Sequence, residues 1–176
     1  MTQDQNREKA QALYEQGVKE SAFDYEDGLS RLIGLADPEH IFRAGRVWPK
    51  FDYTLGFEAL VRLKSAKYIY HAGLEWKSFD HKDGTRVLSL LGDPQYLFYA
   101  GAHWKRFDFE QGFDGLLKTG SCRYLYQAGV LWKTFDHARA WSVLESQVVQ
   151  GEEWRAQAFE HPRWKNALLH IWADLN

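Results

Sequence analysis

The sequence predicts an all-α fold, a right-handed-type α-solenoid of about six helix-turn-helix units. Three observations predict it. Glycine recurs every 28 residues, at Gly17, Gly45, Gly73, Gly101 and Gly129. A Phe-Asp pair keeps the same period, at Phe23-Asp24, Phe51-Asp52, Phe79-Asp80, Phe107-Asp108 and Phe135-Asp136. Apolar residues between these markers follow helical spacing. A period of this size marks a stack of equivalent units, each too small to bury its apolar stripe alone.

The unit from Asp37 to about Ser65 shows the logic. Asp37 is placed to accept a backbone N–H at an N-cap, and Pro38 fits the first turn, where no donor is needed. Ile41, Ala44, Gly45 and Trp48 then follow i, i+3, i+4, i+7 spacing and form one apolar face. Pro49 and Phe51 close this helix. Asp52 caps a second one, in which Gly56, Ala59, Leu60 and Leu63 repeat the spacing. Each unit is therefore two helices of about ten residues, too short to be stable in isolation.

The other units obey the same reading. The third runs through Ser65, Ile69, Ala72, Gly73 and Trp76, then Asp80, Gly84, Val87 and Leu88. The fourth has Asp93-Pro94, Leu97, Ala100, Gly101, Trp104, Asp108, Gly112 and Leu116. The fifth has Ser121, Leu125, Ala128, Gly129, Trp132, Asp136, Ala140, Val143 and Leu144. Asp37, Ser65, Asp93 and Ser121 are the expected N-caps of the first helices. The repeats span about 9–36, 37–64, 65–92, 93–120 and 121–148, within a single domain 1–176 of about twelve helices.

The ends diverge. In the first unit Gln16 and Glu20 replace Ala and Trp, giving a polar outer face. A capping hairpin, 149–176, is expected to pair Glu152–Glu160 with a helix from Pro162 to about Leu175. There Ala156 aligns with Ala128, but Gln157 and Glu160 replace Gly and Trp. Trp154, Trp164 and Trp172 are read as sealing the core.

Glycine inside a helix costs about 1 kcal/mol relative to alanine, and each unit carries it in both helices. Close approach of a large group is the expected reason. Phe51 precedes the cap and Gly56 occupies the fourth helical position, the pair that touches in a hydrophobic staple; the Phe ring is predicted to cover the bare glycine. A finer pattern is superimposed. The second and fourth units share Gly56-Phe57 and Gly112-Phe113, and the third and fifth share His81 and His137, a 56-residue superperiod.

Composition bounds the function. Apolar residues make up 45% of the 176, enough for a continuous core, and the 16% aromatics fall mostly at fixed repeat positions. A net charge of −2 argues against a strongly basic nucleic-acid binder and against an acidic DNA mimic. One cysteine, Cys122, excludes an intrachain disulfide and fits a reducing compartment. Met1 to Ala10 is polar and shows no secretory h-region, and no apolar run reaches the ~20 residues of a membrane span. A soluble, cytoplasmic protein is expected.

The repeat reads roughly Tyr-Leu-Tyr-x-Ala-Gly-x-x-Trp-Lys-x-Phe-Asp-x-x-x-Gly. In layout it resembles the HEAT, armadillo and tetratricopeptide α-solenoids, whose repeats are longer and whose consensus strings are absent here. It looks like a distinct short helical-hairpin repeat of bacterial or phage type. The resemblance implies architecture and a tendency to bind partners.

The chemistry-bearing residues are mostly absorbed by the scaffold. The five repeated Asp residues are read as N-caps rather than a carboxylate ladder, and the repeated Trp residues as core rather than a stacking platform. Seven histidines show no zinc pattern, and no cofactor or metal set and no catalytic constellation is recognised. Cys122 sits at a helix start, where the macrodipole lowers a thiol pKa, but it aligns with Pro38, Ala66 and Pro94 as an ordinary first-turn residue. Lys77, Lys105 and Lys133, with Lys50 one place displaced, form a row that could follow an anionic polymer. More informative are the positions that vary while the framework stays fixed: Arg43 and Arg46, then His71 and Glu75, then Tyr99 and His103, then Gln127 and Leu131. A non-enzymatic scaffold binding a protein partner through this face is the expected function, whether adaptor, inhibitor or immunity-type protein. Nucleic-acid binding along the lysine row is the alternative, and an enzyme with a site in the concave groove is the second alternative.

Overall fold

The punctuation of the sequence is realised as helices. The computed structural model describes residues 3–173 and contains twelve helices and no strand among them. The expected end of the last helix near Leu175 lies outside the described residues. The chain divides into two compact units, one running to Asp80 and the other beginning at His81.

The first unit holds α1 (Gln3–Lys19), α2 (Tyr25–Gly34), α3 (Pro38–Val47), α4 (Tyr53–Arg62) and α5 (Ala66–Glu75). Each helix packs on the next and on the next but one, the order of a stack of hairpins. The second unit continues with α6 (His81–Leu91), α7 (Pro94–His103), α8 (Phe109–Thr119), α9 (Cys122–Leu131) and α10 (His137–Ser146) in the same manner. It closes with α11 (Glu152–Glu160) and α12 (Pro162–Ala173), both of which pack on α9 and α10.

Most expected caps form. The side chains of Asp24, Asp52, Asp108 and Asp136 accept backbone N–H groups at the starts of α2, α4, α8 and α10, and those of Asp37 and Asp93 do so at α3 and α7. Ser65 and Ser121 occupy the N-cap positions of α5 and α9 but make no side-chain capping bond. Among the first helices of the repeats, proline at N1 accompanies the two with Asp caps, α3 and α7.

Between the second helix of one repeat and the first helix of the next, the backbone turns through the left-handed region. Ala36 and Lys64 do so at φ 55° and 52°, Gly92 and Gly120 at φ 68° and 65°. At Lys64 the turn satisfies two helix-end carbonyls: the Lys64 amide donates to Val61 O (2.9 Å) and the Ser65 amide to Leu60 O (3.1 Å). Glycine adopts this conformation freely, whereas a residue with a Cβ is strained there by about 1–2 kcal/mol.

The repeated tryptophans lie one residue past the helices to which periodicity assigned them. Trp48, Trp76, Trp104 and Trp132 are C-caps with extended ψ, each amide donating to the alanine carbonyl four residues back. That conformation turns the indole away from its own helix and onto the preceding repeat. Trp48 lies on Gly17, Trp76 on Gly45 and Trp132 on Gly101. A Cβ built on Gly45 would sit 2.5 Å from Trp76 Cε2. The indole N–H then donates to the carbonyl three residues before that glycine: Trp48 to Tyr14 O (3.3 Å), Trp76 to Phe42 O (3.0 Å) and Trp132 to Phe98 O (3.1 Å). A backbone carbonyl inside a helix is thus given a second donor, and a buried indole N–H its partner.

The staple forms as expected. Phe23 covers Gly28, Phe51 covers Gly56 and Phe107 covers Gly112. The same Phe rings meet the next tryptophan, edge to face for Phe23–Trp48 at 5.1 Å and Phe51–Trp76 at 5.2 Å, and tilted for Phe107–Trp132 at 5.2 Å between centroids. A third ring two residues after each Phe completes the cluster, with Tyr25, Tyr53 and Phe109 at 5.7, 5.7 and 5.9 Å from those indoles. Burying an indole of 150–250 Å² at about 25 cal/mol per Å² is worth roughly 4–6 kcal/mol. This exceeds the roughly 1 kcal/mol each helical glycine costs. The 56-residue pairing also has a packing basis, since Phe57 meets Phe79 and Phe113 meets Phe135 at 5.4 and 4.9 Å.

The terminal hairpin fills the last seat with a tryptophan that is out of phase. Glu160, aligned with the repeat Trp, is exposed, while Trp164, near the start of α12, is fully buried on Gly129. Its N–H donates to Tyr126 O (3.0 Å). Arginines of the hairpin cap the exposed helix ends: Arg163 donates to Val130 O (2.9 Å) and Trp132 O, and Arg155 to Leu144 O (2.5 Å) and Val148 O (3.2 Å). His137 occupies the place of Tyr25. Its Nε2 lies 3.2 Å from Gly129 O, as the Tyr25 hydroxyl lies 3.3 Å from Gly17 O, and burial holds its pKa below the usual histidine value.

Two glycine exchanges should therefore act in opposite directions. Gly45→Ala adds a methyl under the Trp76 ring and should destabilise by about 1–3 kcal/mol, the usual cost of overpacking, despite the helix-propensity gain. Lys64→Gly relieves a left-handed residue and should stabilise by about 1 kcal/mol. Urea unfolding followed by circular dichroism checks both signs.

Candidate functional site

The first helix of each repeat turns its Ala-Gly face inward, and Ala44, Ala72, Ala100 and Ala128 are fully buried. The residues that vary between repeats are therefore carried on the opposite side, half-buried or exposed.

In the first unit these side chains are tied to one another. The Arg46 guanidinium pairs with Glu75 across α3 and α5 at 2.8 Å, and Glu75 also lies 3.8 Å from His71 Nδ1. His71 leans on Phe42 and Tyr70, with centroids 5.7 and 5.1 Å away, and burial lowers its pKa against the opposing pull of Glu75. Arg43 reaches back to α1, where it donates to Gln11 Oε1 (3.0 Å) and lies 4.5 Å from the centre of the Tyr14 ring. Gln11 Oε1 also faces Nε2 of His40, a buried histidine, at 2.8 Å. Burial, with Glu39 beside it, pushes the Tyr68 phenol up to about 12.

Gln11, Tyr14 and His40 were not singled out by the sequence pattern. Gln11 and Tyr14 lie on the long first helix, where the repeat signature is weakest. The signal for Gln11 is its position, one repeat before Glu39.

In the second unit Tyr99 and His103 project from α7, with ring centroids 6.0 Å apart, and Gln127 and Leu131 from α9. Tyr99 and Gln127 are half-buried, while His103 is exposed and Leu131 is 59% exposed. The candidate residues thus fall into two clusters, one on α3 and α5 and one on α7 and α9.

Lys50, Lys77, Lys105 and Lys133 are all exposed. Lys50 and Lys77 line one open groove together with Asp24, Glu26 and Asp52. The cap carboxylates therefore interleave with the ammonium groups, and the edge presents alternating rather than uniform charge. Cys122 is buried, and burial pushes its thiol pKa up, opposite to the lowering expected from a helix start. Desolvation outweighs the helix terminus at that position.

Among the described residues no group of three or more His, Cys, Asp or Glu side chains is placed to hold a metal ion, and no helix is long and apolar enough to cross a membrane. Comparison with known proteins gave no matching family model, curated protein or solved structure.

The two arginines of the face should respond differently to truncation. Arg43→Ala removes a hydrogen bond and a ring contact between α1 and α3 and should cost about 1 kcal/mol. Arg46→Ala removes an exposed ion pair and a more distant ring contact, 5.7 Å to Phe42 on its own helix, and should cost less, about 0.5 kcal/mol. Thermal unfolding of the two variants side by side is the measurement.

Proposed function

We propose that this chain is a non-enzymatic scaffold that binds a protein partner through the variable face of its first helices. The observation that supports this reading is the division of labour within each first helix. Gly45, Gly101 and Gly129 lie under neighbouring indoles and the repeat alanines are buried, while the side chains that differ from repeat to repeat are half-buried or exposed. Solenoids of HEAT-like layout use such a row as an extended surface tuned to one partner. The mixture of Arg, His, Tyr and Leu suits a protein surface better than a phosphate backbone. An adaptor, an inhibitor or an immunity-type antagonist of bacterial or phage origin fits this reading. A cytoplasmic setting fits the single, buried, unpaired cysteine.

The test uses the exposed members of the row, so that folding is spared. The combined variant Arg46→Ala, Glu75→Ala, His103→Ala and Leu131→Ala is expected to unfold within about 1 kcal/mol of the parent. It is expected to lose the proteins that the parent retains in affinity capture from its native cell. Retention of the same proteins by the folded variant overturns the proposed face.

A further inference from the structure

The terminal hairpin carries an exposed apolar patch. Phe159 of α11 and Trp172 of α12 are exposed, at 46% and 39%, whereas every other phenylalanine and tryptophan of the chain is buried or half-buried. Their rings meet at 5.7 Å, and they lie 5.3 and 6.5 Å from the buried ring of Trp141 in α10. Leu169, one helical turn before Trp172, is 56% exposed and extends the patch along α12. Apolar surface gathered in this way, rather than scattered singly, marks an interaction site.

The charges around the patch are sorted by helix. The α11 sequence, EEWRAQAFE, carries three glutamates and one arginine; the α12 sequence, PRWKNALLHIWA, carries Arg163, Lys165 and His170 and no carboxylate. Arg155 and Arg163 are both engaged with main-chain carbonyls of their own chain. Glu152, Glu160 and Lys165 are exposed and take part in no ion pair among the described residues. Lys165 also runs against its own helix, since it lies in the first turn of α12, where the macrodipole favours an anion. An acidic group arriving from outside the chain would relieve that placement.

The two helices present stripes of matching length. Glu152, Ala156 and Phe159 follow i, i+4, i+7 spacing on α11, and Lys165, Leu169 and Trp172 follow it on α12; all six are exposed. An acid and a ring are thus separated on one helix by the same two turns, about 10 Å, that separate a base and a ring on the other.

We propose that the α11–α12 face is a two-fold interface between two copies of this chain. A two-fold uses the same patch on both sides, so each α11 lies against the α12 of the other copy. Phe159 packs on Leu169 and Trp172 of the second copy, Glu152 meets its Lys165, and symmetry repeats both contacts. A second copy matches this face because it brings the opposite charge to each helix at once. A partner of uniform charge would leave one of the two helices facing its own sign. The surface is separate from the α3, α5, α7 and α9 positions proposed above for the protein partner, and the inference does not rest on that reading.

Sedimentation equilibrium of the full chain is the test. At micromolar concentration the mass should be twice the 20.6 kDa of the chain, with no larger species. Lys165→Glu should keep the parent circular dichroism spectrum, because an anion is favoured in the first turn of α12, and should weaken dimerisation by about tenfold or more. Glu152→Lys should weaken it as well, and the two exchanges combined should restore it, because the charges are then only swapped. Leu169→Lys, which sets a cation amid the apolar patch, should give a monomer. A parent chain that stays monomeric overturns the proposal, and so does growth into open-ended assemblies. Undiminished dimerisation of folded Lys165→Glu or Leu169→Lys also overturns it. If Leu169→Lys does not fold, the charge exchange decides: rescue in the double variant supports the two-fold pairing, and no rescue overturns it.

Discussion

An indole laid on the bare backbone of a helical glycine, its N–H bonded to the carbonyl one turn earlier, joins successive repeats within each of the two units. The contact needs three things together. The residue under the ring must be glycine, since a Cβ there would overlap the indole, 2.5 Å from Trp76 Cε2 in the case of Gly45. Within the repeats the tryptophan ends its own helix, and its extended C-cap carries the ring back to the preceding repeat. The ring must also find company beyond the glycine, which the staple phenylalanine and the ring two residues after it supply. Each requirement is met by a residue of the 28-residue pattern, which is why the pattern tolerates so little change at those positions.

The cost of two helical glycines per repeat is small beside the apolar area the rings lose to water. The expense is local and the gain lies between repeats, so a single hairpin would carry the penalty without the return. This explains how helices of about ten residues persist: their stability is held in contacts that only neighbours can provide. At the C-terminal end the same logic is served by other means. Trp164 fills the final seat from the beginning of a helix rather than the end of one, and Arg155 and Arg163 donate to carbonyls at and just beyond the ends of α10 and α9.

Much of this was legible in the sequence because it is governed by short-range rules. The two-helix repeat, the aspartate caps and the Phe–Gly staple all follow from spacings of three to seven residues. The seat of each tryptophan did not, because helical periodicity places Trp48 on its own helix, and the glycine it covers lies a whole repeat away. The left-handed turns were hidden for a related reason: Gly92 and Gly120 announce them, but Ala36 and Lys64 adopt the same conformation without the residue that advertises it. That Trp164 seals the core is legible in the sequence, but its seat on Gly129 is not, because the period alone points to Glu160. Of the candidate surface, the outward positions could be read from their variability. Which of them hold one another could not, since the partners of Arg43 and Arg46 lie one helix pair away at positions that carry no pattern.

The tryptophan seat makes the repeats modular in a way that bears on their history. Each joint asks for a glycine on one side and a ring on the other, and is indifferent to which copy supplies either. Loss or gain of a whole in-frame cassette by unequal recombination would therefore leave matching halves at the new junction, and the length of the array could change in a single genetic event without any interface having to be reinvented.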